Sequence, residues 1–285
     1  HRYVLGLYHI MDELTTRFPE ILFEGCSSGG NRFDLGILSY FPQIWASDNT
    51  DALCRTGIQN SYSYGYPLSV FTAHVSSCPN HQTLRITPLE TRFQVASFGV
   101  LGYECNLKDL SGSDLNAIRE QIAFYKKWRD VFQFGSFYRG AENEASDSET
   151  LSWTCVSPDG RRAVGLFFRR LTTPNQSHDW YRPVGLLPDV KYHFYGRNIK
   201  YNLKDFGDLV NTVSPVHIKQ GSALQEILSR FVNMDGEKEE LTAYGDTLMR
   251  AGIALKPAFA GTGYNSDTRL FPDFSSRIYF MEAAE

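Results

Sequence analysis

Apolar side chains recur at helical spacing over residues 3–18, through Tyr3, Val4, Leu7, Tyr8, Ile10, Met11, Leu14 and Phe18, until Pro19 stops the pattern. The spacing predicts a helix with one core-facing stripe. A different rhythm follows. Short apolar runs at 21–25, 44–47, 67–75 and 95–102 each break into polar residues or glycine. Helical patterns at 50–62, 89–96 and 113–132 are interleaved with them. In the last of these, Leu115, Ile118, Ile122, Tyr125, Val131 and Phe132 lie near one face, with Ser113 placed to cap it. Strands that read as continuous apolar runs belong to parallel sheets covered by helices. The alternation therefore predicts a parallel α/β arrangement over residues 1–135. A closed eight-stranded α/β barrel takes roughly 250 residues, so a barrel here would be the second half of one.

After Gly135 the character changes. Trp153-Thr154-Cys155-Val156-Ser157 and Ala163-Val164-Gly165-Leu166-Phe167-Phe168 flank Pro158-Asp159-Gly160, a hairpin signal built on turn chemistry. Further β-like runs stand at 191–195, 215–218 and 277–281. An antiparallel β domain over 136–285 is the expectation, with the polar, acidic stretch 139–148 as a linker or surface loop. Residues 222–231 and 242–251 read equally as short helices or loops.

Composition narrows the partners more than the fold. A net charge of −4 carries no basic excess, which argues against nucleic acid. No apolar run approaches a membrane span. The five cysteines are odd in number, scattered and free of any CxxC pair, which points to a reducing, cytoplasmic compartment and offers no zinc-site spacing. The chain opens on His1 inside a helical pattern and reads as a piece of a longer or processed polypeptide. Aromatic residues make up 14%; they suit a β-rich core and equally a sugar cleft, where rings pack on pyranose C–H groups.

The candidate chemistry centres on Ile44-Trp45-Ala46-Ser47-Asp48-Asn49-Thr50-Asp51. A buried strand ends there in a polar loop ahead of a helix, and barrel enzymes place their chemistry at the carboxyl ends of strands. Asp51 suits an N-cap, accepting backbone N–H groups at the positive end of the helix dipole. Asp48, nearer the strand end and beside Trp45, is the better acid. The Cys26-Ser27-Ser28-Gly29-Gly30 loop lacks the Lys-Ser or Lys-Thr pair of a phosphate loop. It reads either as a tight turn with a free thiol or as backbone and Cys26 donors to sugar hydroxyls. Arg32 and Asp34 suit an ion pair, and His74 and His81 read as structural histidines, with no nucleophile elbow or metal spacing about them.

Taken together, Phe23-Glu24-Gly25-Cys26-Ser27-Ser28-Gly29-Gly30-Asn31-Arg32-Phe33-Asp34, Pro42-Gln43-Ile44-Trp45-Ala46-Ser47-Asp48-Asn49-Thr50-Asp51-Ala52 and Ala73-His74-Val75-Ser76 with Pro79-Asn80-His81-Gln82-Thr83 closely resemble the α-galactosidases of glycoside hydrolase family 36. Thr87-Pro88-Leu89-Glu90-Thr91-Arg92 and Gln121-Ile122-Ala123-Phe124-Tyr125-Lys126 extend the likeness. The resemblance implies an N-terminal β-sandwich, a catalytic (β/α)₈ barrel of TIM type and a C-terminal antiparallel β domain. It implies hydrolysis of terminal α-galactosides, as in raffinose or melibiose, with retention and with neither cofactor nor metal. By the same resemblance Asp48 is the general acid/base after the sixth barrel strand. Cys26 and Gly29 hold a galactose hydroxyl, and Trp45 lines the same region. Gly30, Arg32, Asp51 and His74 stand behind them, and the full-length protein is a homo-oligomer. The family's Lys-Trp-Asp-Met-Asn-type nucleophile motif does not occur in these 285 residues. A retaining glycosidase needs two carboxyl groups about 5–5.5 Å apart, and this sequence supplies the first. Two alternatives remain at this point: an α-N-acetylgalactosaminidase or galactosyl-transferring relative, and an inactive fragment with residual sugar binding.

Overall fold

The computed structural model describes residues 1–26, 34–141, 148–172, 179–198, 200–229, 231–236, 238–256, 271 and 273–284. They form two compact units: His1–Leu110 with Gln121–Phe134, and Ser111–Glu120 with Gly135–Glu285.

In the first unit helix α1 (Arg2–Arg17) precedes four parallel strands in sequential order. These are β1 (Glu24–Gly25), β2 (Gln43–Trp45), β3 (Phe71–Ser76) and β4 (Val100–Glu104). Helix α2 (Ala52–Tyr62) joins β2 to β3, α3 (Leu89–Ala96) joins β3 to β4, and α4 (Gly112–Phe134) follows. Parallel neighbours require such crossovers. Ile44, Phe71, Ala73 and Val75 alternate onto the helix-covered face and are fully buried. The Tyr62 ring of α2 lies 6.3 Å from Phe71, and Phe93 of α3 meets Phe124 of α4 edge-on at 5.7 Å. Since side chains alternate along a strand, Trp45, Thr72, His74 and Glu104 stand on the other face. The register pairs Trp45 with Thr72, His74 with Gly102 and Ser76 with Glu104.

Several boundaries differ from the sequence expectation. Strand β1 has two residues, and Ile21 and Leu22 ahead of it are exposed. The apolar run at 95–102 is divided, since Val95 and Ala96 finish α3 and the strand begins at Val100; a buried helix end and a buried strand look alike by hydrophobicity. Phe71 starts β3 after one 3₁₀ turn, Leu68–Val70. Ser111 rather than Ser113 serves the start of α4, its Oγ accepting the Asp114 N–H at 3.1 Å. In α1 only Met11 is buried, while Tyr3, Leu5, Ile10 and Leu14 are exposed. An amphipathic pattern reports a face that needs a partner, not where the partner lies.

The second unit is built on a six-stranded antiparallel sheet. Its strands are β5 (Ser136–Arg139), β6 (Thr150–Val156), β7 (Arg162–Arg169), β9 (Lys191–Gly196), β12 (Glu240–Tyr244) and β14 (Ser275–Ala283), in the order β12-β9-β14-β7-β6-β5. The expected hairpin is β6–β7, turning at Gly160 with φ +70°. Strand β14 inserts between β7 and β9, and Tyr181, Tyr192, Phe194, Tyr279 and Met281 share one buried cluster. Short strands β8 (Trp180–Tyr181) and β13 (Ile253–Ala254) pair, as do β10 (Lys200–Asn202) and β11 (Asn233–Asp235). The run at 215–218 is not a strand; Ile218 packs with Leu203 and Val210 of a 3₁₀ stretch, Leu203–Thr212. Residues 222–231 hold helix α5 (Ala223–Leu228), and 242–251 hold the end of β12 and helix α6 (Gly245–Arg250). Among the described residues no helix is long and apolar enough to cross a membrane.

One buried carboxylate fixes the loops above the parallel sheet. Asp51 is the N-cap of α2, its Oδ1 accepting the Cys54 N–H at 3.0 Å. The Thr83 hydroxyl donates to Oδ2 at 2.8 Å and the Arg85 guanidinium to Oδ1 at 2.6 Å. Burial pushes this carboxyl up, but the Cys54, Thr83 and Arg85 donors outweigh it and hold the pKa below the ordinary value. A pKa lowered by folding contributes stability that is present above the unfolded value of about 3.9 and is lost as pH falls through the folded one. Asp51→Asn is therefore expected to cost about 1–3 kcal/mol at pH 7, and less at pH 3. Urea unfolding at both pH values checks this; an equal loss at each would exclude the charge as the cause.

Candidate active site

Strand β2 ends at Trp45, and the chain then makes a loop whose backbone is tied at Ala46, Ser47, Asn49, Thr50 and Asp51. The Ala46 carbonyl accepts from the Tyr62 hydroxyl at 3.2 Å, and the Ser47 carbonyl from Arg55 Nη2 at 2.8 Å. Ser47 Oγ accepts the Asn49 N–H and Asn49 Oδ1 accepts the Asp51 N–H, each at 3.1 Å. The Ser76 hydroxyl donates to the Thr50 carbonyl at 3.2 Å, and Asn80 Nδ2 to Thr50 Oγ1 at 3.3 Å. Short polar side chains that bond their neighbours' backbone fix such a turn without regular structure. Asp48 stands in the middle of it, exposed.

The Asp48 carboxylate is oriented by the strand it follows. Trp45 Nε1 donates to its Oδ1 at 2.8 Å. The indole is in turn held from two directions. Arg55 places its guanidinium 4.9 Å from the ring centroid, a cation–π contact, while the His74 ring lies 4.6 Å away at 47°. Arg55 is 2% exposed and is anchored by the Ser47 carbonyl and, at 3.2 Å from Nη1, by the Thr72 carbonyl. Burial pulls its pKa down to about 10, against the pull of Glu104, Tyr62 and Asp48, so it stays cationic at neutral pH.

His74 takes its place because β4 opposes it with glycine. A Cβ on Gly102 would stand 2.5 Å from His74 Cδ2. His74 Nδ1 lies 3.6 Å from Glu104 Oε2, longer than a hydrogen bond, and the pair is ionic only when the ring is protonated. Burial lowers the His74 pKa and the Arg55 cation adds to that, while Glu104 opposes them. The imidazole is therefore neutral at pH 7, a ring to pack against rather than a cation.

Of the residues singled out from the sequence, Asp48, Trp45 and His74 come together in this cluster. Cys26 is exposed immediately after β1, on the strand-end side that also bears Asp48 after β2. Gly29, Gly30 and Arg32 lie outside the described residues. Asp34, the proposed partner of Arg32, accepts from the Tyr8 hydroxyl at 3.0 Å and the Ile37 N–H at 2.9 Å. Asp51 is committed to capping α2.

Two members of the cluster were not singled out. Arg55 passes in the sequence for an ordinary helix charge, and nothing in its spacing announces burial. Glu104 closes β4 as Asp48 follows β2, and the same strand-end reasoning would have found it. Among the described residues no group of His, Cys, Asp or Glu is arranged to hold a metal. The arrangement offers two exposed carboxyls, Asp48 and Glu104; that of Asp48 has one oxygen held by the indole, which suits proton transfer to and from a bound molecule.

The melibiase profile matches residues 1–135, and the profile of the glycosyl hydrolase family 36 C-terminal domain matches residues 150–281. α-Galactosidase 1 of Pediococcus pentosaceus is 48% identical over 192 residues, 67% of this chain and 26% of that protein. α-Galactosidase AgaA of Geobacillus stearothermophilus is 45% identical over 199 residues, 70% of this chain and 27% of that protein. The chain thus spans about a quarter of the length of these relatives. Among solved structures, the α-galactosidase from Lactobacillus brevis superposes with a TM-score of 0.78 at 36% identity, covering 100% of this chain and 32% of that one. Variants of AgaA crystallised with raffinose and with stachyose each superpose with a TM-score of 0.75, at 35% and 37% identity and the same coverage. With the two profiles together covering both units, and with relatives and structural neighbours in agreement, this chain belongs to glycoside hydrolase family 36.

Proposed function

We propose that this chain carries the acid/base part of a retaining α-galactosidase acting on terminal α-galactosyl residues of oligosaccharides such as raffinose. The observation that carries the reading is Asp48 itself. It is an exposed carboxyl on a loop tied on both sides of it, at the carboxyl end of a parallel strand, in a chain whose relatives are named α-galactosidases. The fold belongs to the same proposal: residues 1–135 as the second half of a (β/α)₈ barrel and 136–285 as its C-terminal β domain. So do a homo-oligomeric state and a cytoplasmic location, the latter supported by five unpaired cysteines.

In this mechanism the protonated Asp48 gives its proton to the glycosidic oxygen as a carboxylate nucleophile attacks the anomeric carbon. The aglycone leaves as an alcohol, and a galactosyl-enzyme ester remains. Asp48, now a carboxylate, takes a proton from the water that opens the ester, and configuration is retained overall. The nucleophile is supplied by sequence outside these 285 residues. Cys26 and Gly29 donate to a galactose hydroxyl, and Trp45 walls the same region.

In the full-length enzyme, Asp48→Ala is expected to lower turnover of raffinose by at least about 100-fold. With an activated aryl α-galactoside, whose leaving group needs little protonation, added azide should restore part of the activity and yield galactosyl azide. Undiminished raffinose hydrolysis by Asp48→Ala would exclude the assignment. Removing one sugar donor with Cys26→Ala is expected to raise KM about two- to tenfold, the effect of one neutral hydrogen bond, with kcat nearly unchanged. Steady-state kinetics on raffinose separate the two constants, and an unaltered KM would take Cys26 out of the sugar site.

A further inference from the structure

The contact between Trp45 and Asp48 divides the carboxyl group into two unequal oxygens. Oδ1 accepts the indole N–H at 2.8 Å. An oxygen already holding a donor is the poorer place for a proton, because the donor's hydrogen occupies one of its two lone pairs and favours negative charge there. The indole is packed from two directions. Arg55 closes on the ring with its guanidinium 4.9 Å from the centroid, His74 packs 4.6 Å away, and Arg55 itself is fastened to the Ser47 and Thr72 carbonyls. One of those carbonyls belongs to the residue just before Asp48. The same guanidinium therefore holds both the backbone that carries the acid and the ring that orients it.

We propose that Trp45 is the positioning residue of the acid/base: its N–H holds Oδ1 of Asp48, Oδ2 is the oxygen that carries and delivers the proton, and Arg55 locks the indole in that pose. The inference rests on the reading of Asp48 given above and assigns Trp45 a task beyond lining the sugar site. In the first step the O–H bond at Oδ2 breaks as the glycosidic oxygen gains that proton, and the bond from that oxygen to the anomeric carbon breaks with it. In the second step Oδ2 recovers a proton from water. Oδ1 keeps the same donor throughout.

The test replaces the N–H without removing the ring, using Trp45→Phe and, to preserve shape, benzothienylalanine at position 45, in the full-length enzyme. Both are compared on raffinose and on 2,4-dinitrophenyl α-galactoside, whose leaving group departs without a proton. Expected on raffinose is a fall in kcat/KM of about 10- to 100-fold, a share of what general acid catalysis supplies. On the dinitrophenyl substrate the fall should be under about threefold. The loss on raffinose should lie in kcat more than in KM, because the ring that walls the site is kept while the proton-delivering carboxyl loses its fixed orientation.

A ring that only walls the sugar site would instead raise KM alike on both substrates and leave kcat on raffinose unchanged, and that result would overturn the proposal. An unchanged kcat/KM on raffinose for the benzothienylalanine enzyme would overturn it even if Trp45→Phe were damaged in folding. Failure of the underlying reading has its own signature: Asp48→Asn would keep full activity on raffinose.

Discussion

The guanidinium of Arg55 is shut away from solvent yet cationic at neutral pH, and the loop bearing Asp48 depends on where it sits. It reaches from the second turn of α2 to the Ser47 carbonyl, to the Thr72 carbonyl of the neighbouring strand, and to the face of Trp45. Helix, strand end and the Asp48 loop thus share one group. A lysine would not substitute, since a point charge cannot serve two carbonyls and stack on a ring together. The Asp51 cap sets where α2 begins, and so sets where Arg55, four residues on, enters the structure.

Around that group the sheet separates two kinds of work. On the helix-covered face Ile44, Phe71, Ala73 and Val75 give a dry layer whose burial is the main source of stability. On the other face the same strands present Trp45, Thr72, His74 and Glu104, polar or aromatic groups that pack poorly as core but well as a site. The period of two puts both sets in three short strands. A one-residue slip of β2 against β3 would turn Trp45 to the helix layer and Ile44 outward. The burial of Ile44 therefore fixes the direction of Trp45, and through it the carboxyl of Asp48.

Much of this was legible in the residues and part was not. The alternation of apolar runs and helical patterns, the hairpin at Pro158-Asp159-Gly160 and the cap at Asp51 follow from local chemistry, and local chemistry can be read one window at a time. The division of 95–102 between α3 and β4 was hidden because hydrophobic runs carry no period when both neighbours are buried. The 215–218 run misled for the opposite reason: apolar residues in an irregular segment can serve a small local core, as Ile218 does. Arg55 was invisible for a deeper reason. Its place is set by Thr72, seventeen positions along, and by a ring on another strand, and no window of sequence contains both. Gly102 was similarly silent until β4 lay beside His74.

Arg55 Nε, His74 Nδ1 and Gln59 Oε1 are buried without a hydrogen-bond partner among the described residues. Each such group costs about 1–3 kcal/mol, more where it is charged, and a buried cation is a poor way to stabilise a fold when an apolar side chain of similar volume would do as well or better. Two of the three belong to the side chains that flank Trp45. A fold selected for stability alone would fill that layer with leucine or methionine. Arg55 and His74 instead flank the indole that holds Asp48, where orientation matters more than the lost hydrogen bonds. Stability is given up locally beside Asp48 and is supplied by the apolar layer on the other side of the same three strands.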